Sequence, residues 1–218
     1  GVDVNYLNEI AICYCDRKVA EYDKAIPYLA RVLDIDKKNK QANSNMGLCY
    51  EMKKEYSTAL TAFEKSGDNY AQRHMVYCYW KDNKDDDALE IGNKLIEEGE
   101  ADSETYYIVG KILAFSKKKY DQAIPLLKES LNRLEDTEPY FDLGLCYLRK
   151  KMFHLGILYF EKYLQKIQGD DSISRSNLGI CYTGTERHKI AQECFESALK
   201  IDPNNITAFR LLLGSLRD

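Results

Sequence analysis

Residues 178–203 read LGICYTGTERHKIAQECFESALKIDP. Leu178 and Tyr182 share one face of a helix, and Ala191, Phe195 and Ala198 share a face of another. Asp202-Pro203-Asn204-Asn205 then stops and restarts the chain. The spacing predicts two antiparallel helices, over 172–184 and 187–200. Gly179 and Ala191 are small enough to let them approach, and Tyr182 and Phe195 fill the space between them.

The same arrangement recurs upstream. A dipeptide stands at Cys13-Tyr14, Cys49-Tyr50, Cys78-Tyr79, Cys146-Tyr147 and Cys181-Tyr182, and Ile112-Leu113 fills the one gap. The steps are 36, 29, 34, 34 and 35 residues. Three places before most of these tyrosines or their counterpart lies a small residue: Ala11, Gly47, Gly110, Gly144 and Gly179. A second small residue follows at Ala59, Ala88, Gly156 and Ala191, and at Ala25 and Ala123 after what read as slightly longer turns. Four places further on stands a large apolar residue: Leu29, Phe63, Leu127, Phe160 and Phe195. The third repeat departs, with Val76 at the small position and Gly92 where an aromatic is expected.

This pattern resembles the tetratricopeptide repeat family over nearly the whole chain. A period near 34 residues is the family's spacing, and one hairpin cannot bury its apolar face alone, so neighbours must stack. The resemblance implies an all-α fold, a right-handed superhelical solenoid of about six helix-turn-helix repeats. As a single array over 1–218 they run about 4–36, 39–68, 69–100, 103–136, 138–170 and 172–203. A capping helix at 205–216 packs Leu212 and Leu216 inward.

Composition excludes several functions. Lys and Arg total 31 and Asp and Glu 35, for a net charge of −4, which leaves no basic footprint for nucleic acid. No apolar run is long enough for membrane insertion. The opening Gly1-Val2-Asp3-Val4-Asn5 lacks the features of a signal peptide and a starting Met; it reads as part of a longer chain. Helix axes about 8–10 Å apart exceed the Cα separation of about 7 Å that a disulfide spans, so equivalent cysteines of neighbouring repeats should not bond. Cys13 and Cys15 point to different sides of a helix, and no Cys-x-x-Cys pair suggests zinc. The seven cysteines therefore read as buried free thiols, suited to a reducing cytoplasm. His74, His154 and His188 have no carboxylate or nucleophile beside them by local spacing, and read as solvated or capping residues. Asp85-Asp86-Asp87 complements a helix dipole. No catalytic, metal or cofactor site emerges, and the chain does not read as an enzyme.

In the family the A helices line a concave face, and carrying its groove positions over gives a definite surface. Repeats one and two would contribute Asn5, Asn8, Ile12 and Asp16, then Gln41, Ser44, Leu48, Glu51 and Met52. The middle of the groove would be Arg73, Tyr77, Trp80 and Lys81, followed by Glu104, Tyr107, Lys111, Ala114 and Phe115. Repeat five would add Glu138, Phe141, Leu145, Leu148 and Arg149, and repeat six Ser176, Ile180 and Thr183. Aromatics ringed by Arg and Lys are the residue types of binding hot spots. The expected function is a protein-interaction scaffold or adaptor binding a peptide or helical segment with apolar anchors and acidic residues. Ile12, Leu48 and Tyr77 stand where carboxylate-clamp members of the family carry Asn, so a clamp of that kind is not expected. The alternative is a structural segment of a larger assembly. Leu211, Leu212, Leu213 and Leu216 are too many for one helix stripe, so the C-terminal helix would stack or form a homo-oligomer.

Overall fold

Asn39, Asp68, Asp102 and Asp171 each stand immediately before a helix. Each side chain accepts a backbone N–H three residues on, from Ala42, Ala71, Thr105 and Ser174, at 2.7–2.9 Å. Such caps satisfy one of the donors a helix start leaves unpaired. In the computed structural model, which describes residues 3–15, 19–133 and 136–215, these caps open α3 (Lys40–Met52), α5 (Asn69–Lys81), α7 (Ser103–Lys111) and α11 (Ser172–Gly184). With α1 (Val4–Cys15) and α9 (Glu138–Arg149) they form the A helices. The B helices are α2 (Tyr22–Ile35), α4 (Tyr56–Ser66), α6 (Asp85–Glu97), α8 (Tyr120–Arg133), α10 (Phe153–Lys166) and α12 (His188–Ile201), and α13 (Ile206–Ser215) follows. The described residues contain no strand.

The B helices begin differently. No side-chain cap bonds the start of α2, α4, α6, α10 or α12. A left-handed residue directs the chain into each instead: Ala20, Lys54, Asn83, Lys151 and Glu186, at φ of 50 to 63°. The next N–H bonds back to the carbonyl of the repeating tyrosine: Glu55 to Tyr50, Lys84 to Tyr79, Met152 to Tyr147 and Arg187 to Tyr182, at 2.8–2.9 Å.

The fourth hairpin corrects one expectation. Its turn is no longer than the others: Lys118 takes the left-handed position (φ 57°) and Lys119 N donates to Leu113 O at 2.7 Å. The extra residue before Ala123 lies inside the helix, as a π turn over Ile112–Ser116, the usual way a helix absorbs a single insertion. In the first hairpin the corresponding residues, 16–18, lie outside those described, and Asp16 with them.

Two compact units divide the chain, one ending at Ile112 and the other beginning at Leu113. In the first, α1 to α4 enclose Ala11, Leu29, Val32, Met46 and Cys49, and α4 with α5 enclose Ala59, Phe63, Met75 and Cys78. A Cβ on Gly47 would lie 2.5 Å from the Phe63 ring, so only glycine admits that phenylalanine. Ala11 is tolerated in the first hairpin, where the smaller Leu29 occupies the equivalent position. The third hairpin reverses the arrangement: a Cβ on Gly92 of α6 would lie 2.4 Å from Val109 of α7 and 3.7 Å from Val76 of α5.

The second unit repeats the glycine–phenylalanine lock twice, Gly144 against Phe160 and Gly179 against Phe195, with hypothetical Cβ approaches of 2.7 and 2.5 Å. Phe160, Leu178, Cys181, Phe195 and Ala198 form its core, each buried phenylalanine contributing about 2–3 kcal/mol of transfer free energy. Asn205 fixes α13 by donating to Ser172 Oγ and Ser176 Oγ (2.8 and 2.9 Å) while accepting from Ala208 N. Leu211 and Leu212 pack partly onto the core, as expected for Leu212, and Leu216 lies outside the described residues.

Candidate partner-binding faces

On α5 the spacing of Arg73, Tyr77, Trp80 and Lys81 places them along one side of the helix. Tyr77 meets Trp80 edge to face at 6.1 Å between ring centroids, and Tyr56 of α4 supports Tyr77 in the same way at 6.3 Å. The Lys81 ammonium lies 4.2 Å from the Trp80 centroid and 5.2 Å from that of Tyr77, a cation–π arrangement. Both rings are half-buried and Lys81 is exposed, so the cluster is packed on one side and still presents area to a ligand. Burial, with smaller effects from Tyr56, Glu51 and Glu104, pushes the Tyr77 hydroxyl up to about 12. It therefore stays neutral at physiological pH.

Arg73 and Lys111, two cations of this unit, are engaged locally. Arg73 donates to Glu100 O at 3.1 Å and lies 3.5 Å from the Asp102 carboxylate. Lys111 donates to Tyr107 Oη at 2.6 Å. Carboxylates share the surface. Glu51 lies 2.9 Å from His74 Nδ1 and accepts from Cys78 Sγ at 3.7 Å. His74 packs between the rings of Phe63 and Tyr70, with centroids at 5.5 and 4.7 Å. Local desolvation, reinforced by Asp102 and Glu51, raises the Glu104 carboxyl above the usual range. The face is mixed in charge, not uniformly basic.

The pairing of His74 with Glu51 corrects its reading as a solvated or capping histidine. Its partner comes from the preceding A helix, 23 residues away, which local spacing does not reveal. Other corrections follow from packing. Asn8, Ser44, Ala114 and Ser176 are buried and line no groove. Ser44 Oγ pairs with Ser66 Oγ at 2.7 Å, and Ser176 Oγ accepts from Asn205. Cys13, expected in the core, is exposed.

In the second unit, α9 carries Phe141, Leu145, Leu148 and Arg149. Phe141 packs edge to face on Phe160 (5.8 Å) and against Tyr163 (5.3 Å). Leu145 and Leu148 are likewise half-buried against the core, so these three offer part of their surface. Arg149 is exposed, and Phe115, at the end of the π turn, is 39% exposed. A cleft of about 480 Å³ lies elsewhere in this unit, between Glu161, Arg175, Tyr182 and Glu193. Among the described residues no three His, Cys, Asp or Glu side chains converge to hold a metal ion, and no helix is long and apolar enough to cross a membrane.

Comparison with known proteins agrees with this architecture. Residues 174–205 match the tetratricopeptide repeat model. The uncharacterized protein ycf37 of Guillardia theta is 30% identical over 130 residues, covering 56% of this chain and 72% of that protein. The CTR9 homolog of Arabidopsis thaliana is 26% identical over 92% of this chain, which spans only 20% of that protein's length. Among solved structures, YrrB, a TPR protein with an unusual peptide-binding site, superposes with a TM-score of 0.75 at 20% identity, over 84% of this chain and 96% of its own. PilF of Pseudomonas aeruginosa gives 0.75 at 12% identity, over 97% of both chains. The recurring A and B helices, their interlocked small and large residues and these likenesses together establish that the chain belongs to the tetratricopeptide repeat family.

Proposed function

We propose that the chain is a protein-interaction adaptor, its six repeats working as one array, that binds a peptide or helical segment of a partner along the A-helix faces. The observation that carries this reading is the Tyr77–Trp80–Lys81 cluster. A tryptophan held edge-on by one neighbour and capped by an ammonium has little rotamer freedom left to lose on binding. Arg and aromatic anchors of this kind dominate interface energies. The partner would bring an apolar anchor for Trp80 and a carboxylate for Lys81, with Phe141, Leu145, Leu148 and Arg149 offering a second contact. The likeness to YrrB, which has a peptide-binding site, supports the reading by analogy of fold. No catalytic role is assigned, and the free thiols suit a reducing cytoplasm.

The test is retention of a partner from extract by immobilised wild type, Trp80→Ala and Arg149→Glu. Trp80→Ala is expected to weaken binding at least tenfold, the usual cost of losing a tryptophan hot spot of about 2 kcal/mol, with helicity unchanged. Equal retention by all three would sink the A-face reading.

A second reading has its own observation. Ile206, Phe209 and Leu213 on α13 are 65, 53 and 42% exposed, an apolar stripe of the kind used for stacking in larger assemblies. The likeness to a chain of the Cut9–Hcn1 hetero-tetramer, with a TM-score of 0.66 at 17% identity, is compatible with it. Light scattering separates the two: a concentration-dependent dimer abolished by Phe209→Glu favours assembly, and a monomer at all concentrations favours the adaptor.

A further inference from the structure

Cys15 and Cys49 occupy nonequivalent places in neighbouring A helices. Cys49 sits in the repeating Cys-Tyr slot of α3, whereas Cys15 lies two residues beyond that slot in α1. Equivalent slots are held apart by the width of a helix, but this offset removes the separation. With α1 packed against α3, the two sulfurs approach to 3.0 Å. A disulfide is about 2.05 Å long, so closure needs about 1 Å of approach between helices already in contact.

The two thiols are also unequal. Cys49 is buried and Cys15 half-buried. The hydrogen bond with Cys49 holds the Cys15 thiol below its ordinary range against the opposing effect of burial, while Cys49 is pushed up by the same bond and by its own burial. At Cys181 burial alone raises the thiol, to about 12, and Cys78 has a carboxylate, Glu51, as its partner. A half-buried thiol shifted downward, 3.0 Å from a buried resolving thiol, is the arrangement of a reactive pair.

We propose that Cys15 and Cys49 are a reversible dithiol–disulfide pair that exchanges with small-molecule disulfides and, when oxidised, staples α1 to α3. The Cys15 thiolate attacks one sulfur of the reagent disulfide, forming a mixed disulfide and releasing one reagent thiolate. Cys49 then attacks Cys15 Sγ and expels the second reagent thiolate, and the two cysteine protons end on the released thiols. Two electrons pass from the cysteines to the reagent disulfide, giving one protein disulfide and two reagent thiols.

The experiment incubates the folded chain, and a Cys13→Ser variant that removes the neighbouring exposed thiol, with oxidised glutathione. Intact-mass measurement and peptide mapping under non-reducing conditions follow. The expected result in both chains is a mass loss of about 2 Da for the two thiol hydrogens, reversed by dithiothreitol, with the link mapped to Cys15 and Cys49 within one chain. A glutathione adduct that persists on Cys15, a link through any other cysteine, or no reaction in the folded chain would each overturn the proposal.

Discussion

The third and fifth hairpins meet the same packing demand with opposite parts. In the fifth, the A helix supplies the hole and the B helix the knob, Gly144 receiving Phe160. In the third, the hole is Gly92 on the B helix, and Val109 of the next A helix fills it with Val76 close by. What the crossing needs is therefore a small residue facing a larger one, and either the A or the B helix can supply the small one. The outward faces differ as well. Tyr77, Trp80 and Lys81 form a polar-tipped aromatic cluster near the carboxylates of Glu51 and Glu104, whereas Phe141, Leu145 and Leu148 lean onto the core below them.

The contrast can be broken most forcefully in the fifth hairpin. Phe160→Ala should lower the unfolding free energy by about 3–5 kcal/mol, the loss typical of emptying a buried phenylalanine site. Denaturant unfolding followed by circular dichroism measures it, and a loss below about 1 kcal/mol would mean the ring does not lock the hairpin. The next test sharpens the reversal. Gly92→Ala should cost about 1–3 kcal/mol through overpacking against Val109, and adding Val109→Ala should recover at least about 0.5 kcal/mol of that loss. The same Val109→Ala change should give Gly144→Ala no relief, since its obstacle is Phe160. Equal rescue of both would contradict the separate locks.

The smallest effect concerns the third hairpin's surroundings. The raised Glu104 carboxyl binds its proton more tightly in the folded state than in the unfolded chain. The stability linked to it is therefore present below the ordinary glutamate range, about 4.3, and is lost as pH rises through the raised folded value. Glu104→Gln should stabilise the chain at pH 7 by less than about 1 kcal/mol, because solvent screens the site, and the gain should vanish near pH 4. A gain that persists undiminished in acid would point to packing instead of charge.

The sequence carried the repeats legibly because burial imposes one size at each recurring place, as at Gly47, Gly144 and Gly179. The capping residues Asn39, Asp68, Asp102 and Asp171 carried a second periodic signal that could have fixed the A-helix starts independently. Other features leave no such trace. The left-handed position is filled by Ala20, Lys54, Asn83, Lys118, Lys151 and Glu186, no single residue type and none a glycine; the turn enforces their backbone shape. The residue inserted in the fourth hairpin looks like a longer turn until the π geometry places it in the helix. His74 with Glu51, and Cys15 with Cys49, join residues 23 and 34 apart from different helices, so neither pair forms a local motif. The candidate faces were legible as helix positions, but the burial of Asn8, Ser44, Ala114 and Ser176 depends on neighbours that only the packed hairpins define.

The thiols sealed at 0% exposure in α3, α5, α9 and α11 give the chain an intrinsic clock. Cys49, Cys78, Cys146 and Cys181 lie in successive repeats apart from the fourth, each out of reach of a bulky reagent until its own hairpin opens. Their labelling rates in native buffer would report four local opening equilibria in one unmodified protein. Because stability in a repeat protein is a sum of nearest-neighbour terms, the order in which they react would trace how far each opening spreads before the chain closes again.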